Sequence, residues 1–255
     1  MSTQAAHALL MIPGPTEFAD DVLSAMATPG TSHVDPVFIE AFGRALDSLP
    51  GVFGASEAGA LPLVLAGSGT LGWDVTAANF CVAGDEALVI NTGYFGDSFA
   101  ECLKAYGVAV THLHAAEGRV GSVPSVGDLQ RVLEGRVTPF KLITITHVDT
   151  STGVRAPVQD YARCVRSLSP SSLIAIDGVC SIAAEQLRMT EWDLDIAFTG
   201  SQKALGVPPG LLIALFRPRA LDVLRHRTSP IPAYAFFALH FLFFCSFIFF
   251  FSFSF

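Results

Sequence analysis

An α/β layer sandwich on a mostly parallel sheet is the fold class that the 255-residue sequence predicts, and three observations predict it. Short β-branched and Leu-rich runs recur along the chain, with segments of helical spacing between them. Runs such as Leu142-Ile143-Thr144-Ile145-Thr146 and Leu173-Ile174-Ala175-Ile176 are apolar almost throughout. Strands buried on both faces of a parallel sheet read this way, whereas one-sided strands alternate. Most of these runs then end in polar, Gly-rich sequence, the kind of loop that carries reactive groups at the carboxyl edge of such a sheet.

The elements follow in order. The first strand, 63–66, stops at Gly67-Ser68-Gly69-Thr70 and leads to a helix over 74–80. The second, 87–91, runs into Thr92-Gly93-Tyr94-Phe95-Gly96 ahead of a helix over 98–106. A third strand spans 109–113, followed by a helix over 126–133. The fourth, 141–147, passes through Asp149-Thr150-Ser151-Thr152-Gly153 to a helix over 158–168. The fifth, 173–177, ends on its own carboxylate, Asp177. The sixth, 196–200, ends at Ser201-Gln202-Lys203, and 211–216 closes a set of seven strands. Gly and Pro punctuate the helix ends, and the βαβ alternation calls for helices on both faces of the sheet.

Composition narrows the function classes. A hydrophobic content of 51% supplies a large core, and a net charge of −8 with only 15 Lys and Arg argues against a nucleic-acid surface. Small molecules and copies of the chain are the expected partners. The five cysteines, Cys81, Cys102, Cys164, Cys180 and Cys245, form no CxxC pair, which fits neither a zinc site nor a disulfide framework and suits a reducing compartment. The N-terminus lacks the basic start and longer apolar stretch of a secretory signal, so export is not expected.

Three positions carry chemistry. Glycines in Gly67-Ser68-Gly69-Thr70 let backbone N–H groups and hydroxyls approach a phosphate at a helix N-terminus, although an ordinary tight turn reads the same. Asp177 emerges at the sheet rim and needs a cationic partner, which a protonated pyridine nitrogen would supply; a helix cap or metal ligand are the bland alternatives. The chain has three lysines, Lys104, Lys141 and Lys203, and Lys203 alone follows a strand in an irregular Gly- and Pro-rich loop, which makes it the candidate imine-forming lysine, with a capping or surface lysine as the bland alternative. His112 and His114 share one face of a strand, but no carboxylate or cysteine stands at a supporting sequence spacing. They are read as ordinary strand histidines, with no metal expected. Trp73 is read as core and Cys180 as a small buried apolar residue.

In order, Pro13-Gly14-Pro15-Thr16, the GSGT loop, Ser151-Thr152-Gly153-Val154 and Gly200-Ser201-Gln202-Lys203 resemble the class V pyridoxal-phosphate aminotransferases of the alanine–glyoxylate and serine–pyruvate kind, over roughly residues 10 to 234. The resemblance implies a type I pyridoxal-phosphate-enzyme large domain, a seven-stranded mostly parallel sheet between helices. It implies that Lys203 binds pyridoxal 5'-phosphate covalently and that Asp177 pairs with the pyridinium. Val179 would wall one ring face and Phe95, where the family often has Trp, would stack on the other. Thr150 would bond the phenolate oxygen, and Ser68, Gly69, Thr70 and Gln202 would cradle the phosphate without an arginine cluster. The implied reaction is transamination of alanine or serine with glyoxylate or pyruvate, giving glycine and a 2-oxo acid. A homodimer in peroxisome or cytoplasm is implied too, and His33 falls in a segment that resembles one near the family's subunit interface. Rival readings are a cysteine desulfurase, which would need a reactive loop cysteine, a phosphoserine aminotransferase, and a non-catalytic or membrane-tethered remnant.

The expected organisation is an N-terminal arm over 1–20, a cofactor-binding large domain over 21–234, and a Phe-rich tail over 235–255 that departs from the family. That tail contains 11 Phe and no Lys, Arg, Asp or Glu. Two accounts compete for it. It is long enough to span a bilayer, with Arg217, Arg219, Arg225 and Arg227 as a basic flank. Phe, Leu and Ser also share pyrimidine-rich codons, so an unspliced or misread stretch would give the same composition. The second account is preferred, because a spanning segment beginning where the family's small domain should follow is hard to explain by selection. With that small C-terminal domain and its carboxylate-binding arginine missing, this chain is expected to be a weak or inactive transaminase.

Overall fold

The apolar runs read from the sequence all enter one sheet. In chain order the strands are β1 (Leu61–Ala66), β2 (Glu86–Ile90), β3 (Ala109–Leu113), β4 (Leu142–Thr146), the short hairpin partners β5 (Val148–Asp149) and β6 (Val154–Arg155), β7 (Leu173–Asp177), β8 (Ile196–Gly200) and β9 (Leu211–Phe216). The structure, a computed structural model, describes residues 4–115 and 121–231. The Phe-rich tail, with Cys245, therefore lies outside the described residues. Among those described, no helix is long and apolar enough to cross a membrane.

The seven-stranded sheet has the order β1-β9-β8-β7-β4-β2-β3, and β5 pairs with β6 separately. Pairings β2–β3, β2–β4, β4–β7 and β7–β8 are parallel, while β9 runs antiparallel to both β1 and β8. All strands of this seven-stranded sheet but β9 thus point one way, and the loops after β1, β2, β4, β7 and β8 gather on one edge. Every residue of β4, β7 and β8 is buried, as their unbroken apolar character requires.

Helices α1 (Asp20–Met26), α2 (Pro36–Val52), α3 (Leu71–Phe80), α4 (Tyr94–Ala105), α5 (Val126–Glu134), α6 (Val158–Leu168) and α7 (Pro218–Arg225) complete the fold. Two cores result. Leu88, Ile90, Ile143, Ile145, Ile174 and Ile176 pack beneath α5 and α6 through Leu129, Leu133, Tyr161 and Val165. Ala87, Val89, Leu142, Ala175 and Phe198 pack on the other face against Trp73, Phe99, Leu103 and Leu221 of α3, α4 and α7. The alternation of side chains across each strand divides the two sets.

The differences from the sequence reading have physical causes. Helix α3 starts at Leu71 rather than Asp74, and α4 at Tyr94 rather than Ser98. The first amides of α4 are satisfied from far along the chain: Phe95 N donates to Asp149 Oδ2 at 3.1 Å and Tyr94 N to Ser151 Oγ at 2.9 Å. No local capping pattern announces such a start. Helices α1, α2 and α7 and the β5–β6 hairpin were not anticipated. Helix α2 is capped by Asp35, which accepts from Val37 N at 2.8 Å, yet it fully buries no residue and reaches a core only through the partly buried Leu49.

At the amino edge of the sheet, arginines satisfy buried acids. Asp195, fully buried, accepts from Ile174 N at 2.7 Å and Arg166 Nη2 at 2.6 Å. Arg217 donates to Glu57 Oε2 at 2.8 Å, Asp193 Oδ1 at 3.0 Å and the Leu194 carbonyl at 2.7 Å. Breaking one partner of so buried a set leaves an uncompensated charge, so the cluster locks the start of β8 in place.

Helix α3 docks on β8 at Gly72, where a Cβ would stand 2.3 Å from the Phe198 ring. Gly72→Ala is expected to destabilise the protein by about 1–3 kcal/mol, the usual cost of overpacking. Gly127→Ala in α5 has only an ordinary 3.7 Å neighbour and should be neutral or stabilising by up to about 1 kcal/mol. Denaturant midpoints of the two variants check this, and equal midpoints would count against close α3–β8 docking.

Candidate functional site

Every parallel strand delivers its loop to the carboxyl edge, and the loops after β1, β7 and β8 enclose a cavity of about 170 Å³. Its walls include Ser68, Gly69 and Thr70 from the first loop, Asp177 and Val179 from the second, and Gln202 and Lys203 from the third. Phe95, from the start of α4, adds an aromatic wall. Of the residues expected to contact the cofactor, only Thr150 falls outside this lining; its Oγ1 lies 3.9 Å from Cys180 Sγ, which does line it. A larger cavity of about 490 Å³ lies at the amino edge, among Asn79, Lys141, Arg219 and Arg227, and contains none of those residues. It borders Ser229, close to the last described position, so the smaller cavity holds the convergent chemistry.

Glycines make the approach close enough. A Cβ on Gly69 would stand 2.5 Å from Val179 Cγ2, so the phosphate-type turn can lie against the β7 loop only without a side chain there. Gly14 does the same for the N-terminal arm: at φ +144° it packs where a Cβ would meet Lys203 Cδ at 2.6 Å. Thr16 N donates to the Gln202 carbonyl at 3.3 Å, and Thr16 Oγ1 to the Lys203 carbonyl at 3.2 Å. The Pro-Gly-Pro-Thr segment therefore clamps the lysine loop, a contact with a residue 187 positions away that spacing could not reveal.

Asp177 ends β7 with only 3% of its surface exposed. Both its donors are neutral: the Trp73 indole gives Nε1 to Oδ2 at 2.7 Å, and Val179 N reaches Oδ1 at 3.1 Å. Burial raises its pKa from 3.8 to about 6, the two hydrogen bonds oppose the rise, and the Asp149 charge adds to it. Trp73 is thus core on one side, stacked on Phe99 at 5.8 Å, and a positioning group on the other. The core reading of Trp73 misses this. A buried indole N–H needs an acceptor, and a buried carboxylate needs donors; pairing the two was the available signal.

Asp149 was also missed. Fully buried, it accepts from Phe95 N at 3.1 Å and from Ser151 N at 3.0 Å, and so fixes the aromatic wall and the Thr150 turn together. His147 stays neutral, its pKa lowered to about 4 by burial, while its backbone N–H donates to the Asp177 carbonyl at 2.9 Å. Cys180 is not the buried apolar residue expected; it is half-buried at the cavity, and burial raises its thiol pKa.

The site suits a phosphorylated, cationic heteroaromatic ring. The Asp177 carboxylate has no cation among its hydrogen-bond donors, Gln202 Oε1 is a buried acceptor with no partner, and the Ser68 and Thr70 hydroxyls, 2.6 Å apart, sit before the N-terminus of the ten-residue α3. Lys203 is the sole lysine of the lining.

Comparison with known proteins gives the same answer. The model of the aminotransferase class-V family matches residues 63–229. The chain is 38% identical over 218 residues to alanine–glyoxylate aminotransferase 1 of Saccharomyces cerevisiae, covering 84% of this chain and 55% of that protein. It is 29% identical to L-aspartate–glyoxylate aminotransferase of Paracoccus denitrificans, over 87% of this chain and 55% of that one. The crystal structure of ureidoglycine–glyoxylate aminotransferase from Bacillus subtilis superposes with a TM-score of 0.81 at 28% identity, covering 92% of this chain and 58% of that chain. The chain spans about half the length of the curated relatives it matches. With most of its length matched by the family model, and with the fold and cavity already described, the chain belongs to the class V aminotransferase family.

Proposed function

We propose that this chain forms the cofactor-binding part of a transaminase that moves an amino group between alanine or serine and glyoxylate or pyruvate, with Lys203 as the lysine that holds pyridoxal phosphate. The observation that carries the reading is one cavity in which Lys203, Asp177 and the Ser68–Thr70 turn converge. Similarity to proteins named for alanine–glyoxylate and aspartate–glyoxylate transamination supports the acceptor.

Pyridoxal phosphate, the cofactor of this family, supplies an electron sink for the pair left when the Cα–H bond of an amino acid breaks. The chain's own groups do the rest. Lys203 Nζ is the attachment point and the base that carries the α-proton. Asp177, held in place by Trp73 and Val179, provides the negative charge that keeps a pyridine nitrogen protonated. Phe95 and Val179 confine a ring between them and exclude water. Ser68, Thr70, backbone amides at the start of α3 and the Gln202 side chain hold a phosphate without arginine. Thr150 would donate to the ring oxygen. Cys180 favours this reading over a desulfurase, since a thiol whose pKa burial has raised is a poor nucleophile.

A homodimer belongs to the same proposal. Val37 and Phe38 of α2 are 75% and 44% exposed, and Leu9 and Met11 of the arm are 71% and 81% exposed. Apolar groups clustered in one stretch of chain, outside either core, are what a second copy would cover.

Two expectations follow. Borohydride reduction after loading with pyridoxal phosphate, with peptide mapping, should place the label on Lys203. Lys203→Ala should lose it, whereas Lys104→Ala and Lys141→Ala should retain it. A label on Lys104 or Lys141 would sink the assignment.

The Asp177 carboxyl provides a second readout, independent of turnover. A group whose folded pKa is raised from 3.8 to about 6 contributes stability that is fully present below pH 3.8 and is lost as pH rises through about 6. Above pH 7 the cofactor-free wild type should therefore lie below Asp177→Asn by on the order of 3 kcal/mol, and the gap should close toward pH 4. His147 titrates over the same range with the opposite sign, so only the difference between the two proteins isolates Asp177. Because the indole hydrogen bond lowers the Asp177 pKa, Trp73→Phe should move the midpoint of that difference upward. A pH-independent difference, or a midpoint that Trp73→Phe leaves in place, would show that the carboxylate is not held as described.

A further inference from the structure

We propose that Asp97, His112 and His114 form a binding site for a divalent transition metal of the zinc class, on the edge of the sheet and separate from the Lys203 cavity. Sequence spacing gave the two histidines no third ligand, but the fold supplies one. His112 lies in β3, the edge strand, and His114 follows one residue past its end at Leu113; at this i, i+2 spacing the two rings stand side by side, stacked at 5.3 Å. Helix α4 crosses the strand there and brings Asp97, from its first turn, to the pair. One donor atom from each of the three lies within 4.8 Å of the others.

The geometry is close to what an ion needs. Ligands held about 2.0–2.2 Å from zinc stand no more than about 4 Å apart, so small rotations about the exposed χ angles close the set. The two imidazole rings are already parallel, with centroids 5.3 Å apart and planes at 5°. A support behind the ligands is also built. Asn91, 4% exposed, donates Nδ2 to Asp97 Oδ1 at 2.6 Å, while its Oδ1 accepts from Gly93 N at 3.0 Å. The carboxylate is thereby oriented from behind, with Oδ2 left for a ligand, which is the kind of outer contact that metal carboxylates have. His112 Nδ1 sits 3.4 Å from the same amide, a long contact that the ring keeps or gives up according to which nitrogen binds. Lys104, on the same helix, is committed to Glu101 at 2.8 Å.

Two imidazoles and one carboxylate select the ion. Imidazole suits zinc, nickel and copper, whereas calcium and magnesium want oxygen ligands throughout. Three protein ligands leave the remaining position open to solvent on this exposed edge. Since the ligands come from α4, β3 and the residue just past β3, an ion would clip the helix to the end of the edge strand and stabilise the folded chain by mass action. The site has no part in the proposed transamination, and the two can fail independently.

The test is zinc titration of the full chain, saturated with pyridoxal phosphate, followed by calorimetry and thermal unfolding. One zinc per chain and a rise in unfolding temperature are expected, with no comparable response to magnesium or calcium. His112→Asn, His114→Asn and Asp97→Asn should each weaken zinc binding by about tenfold or more, and His226→Asn should leave it unchanged. Should a ligand variant lower stability by itself, its apo unfolding temperature provides the baseline, and the zinc-dependent increment remains readable. Unchanged zinc affinity in the His112→Asn/His114→Asn double variant, or absence of zinc binding by the wild type, overturns the proposal.

Discussion

A carboxylate buried at the end of a central strand, with only neutral donors, organises this structure. Asp177 costs free energy to bury, and the cost is visible in its raised pKa. The fold accepts that cost because β7 lies between β4 and β8, in register through Thr146↔Asp177 and Asp177↔Phe198, so that the side chain has one possible position. Trp73 reaches it from α3 across 104 residues of sequence. A group held with neutral partners on a rigid sheet keeps its affinity for a cation in reserve, and this makes it a site rather than a structural ion pair.

By contrast, the acids at the amino edge are spent on structure. Asp195 and Asp193 are bound by Arg166, Arg217 and Arg219. The same strands thus present carboxylates paired with arginines at one end and one held only by neutral donors at the other. Parallel topology makes the division possible, because it sends every βα loop to one edge and every αβ connection to the opposite edge.

Legibility in the sequence followed the range of the interactions involved. Strands β4, β7 and β8 were readable because burial on both faces demands unbroken apolar runs, and the loops after them were readable because Gly and hydroxyl residues mark close approach. Lys203 emerged from the scarcity of lysine. What depended on distant partners was not readable. The starts of α3 and α4, the hold of Asp149 on Phe95, the indole on Asp177 and the clamp of Gly14 on Lys203 each join segments far apart in sequence. His112 and His114 were seen as a pair, but Asp97 comes to them only because α4 crosses the edge strand. Helix α2 escaped for another reason: it fully buries no residue and meets a core only through Leu49, so no buried periodicity marks it.

Charge around the cavity constrains what else recognition requires. The lining holds a single cation, Lys203, beside Asp177, and includes no arginine. Neutral hydroxyls and amides can hold a phosphate at a helix N-terminus, and Asp177 can hold a pyridinium, but both leave Lys203 as the only positive group. In the proposed function, covalent attachment would occupy that same nitrogen. A substrate carboxylate entering this cavity would therefore meet no free cation from its walls, and bidentate recognition, which fixes both position and orientation, needs a guanidinium. Arg166, Arg217 and Arg219 are already bound to Asp195, Glu57 and Asp193 at the other edge. If the chain acts as proposed, these walls would serve the cofactor, and a bidentate cation for a 2-oxo acid would have to come from outside this lining.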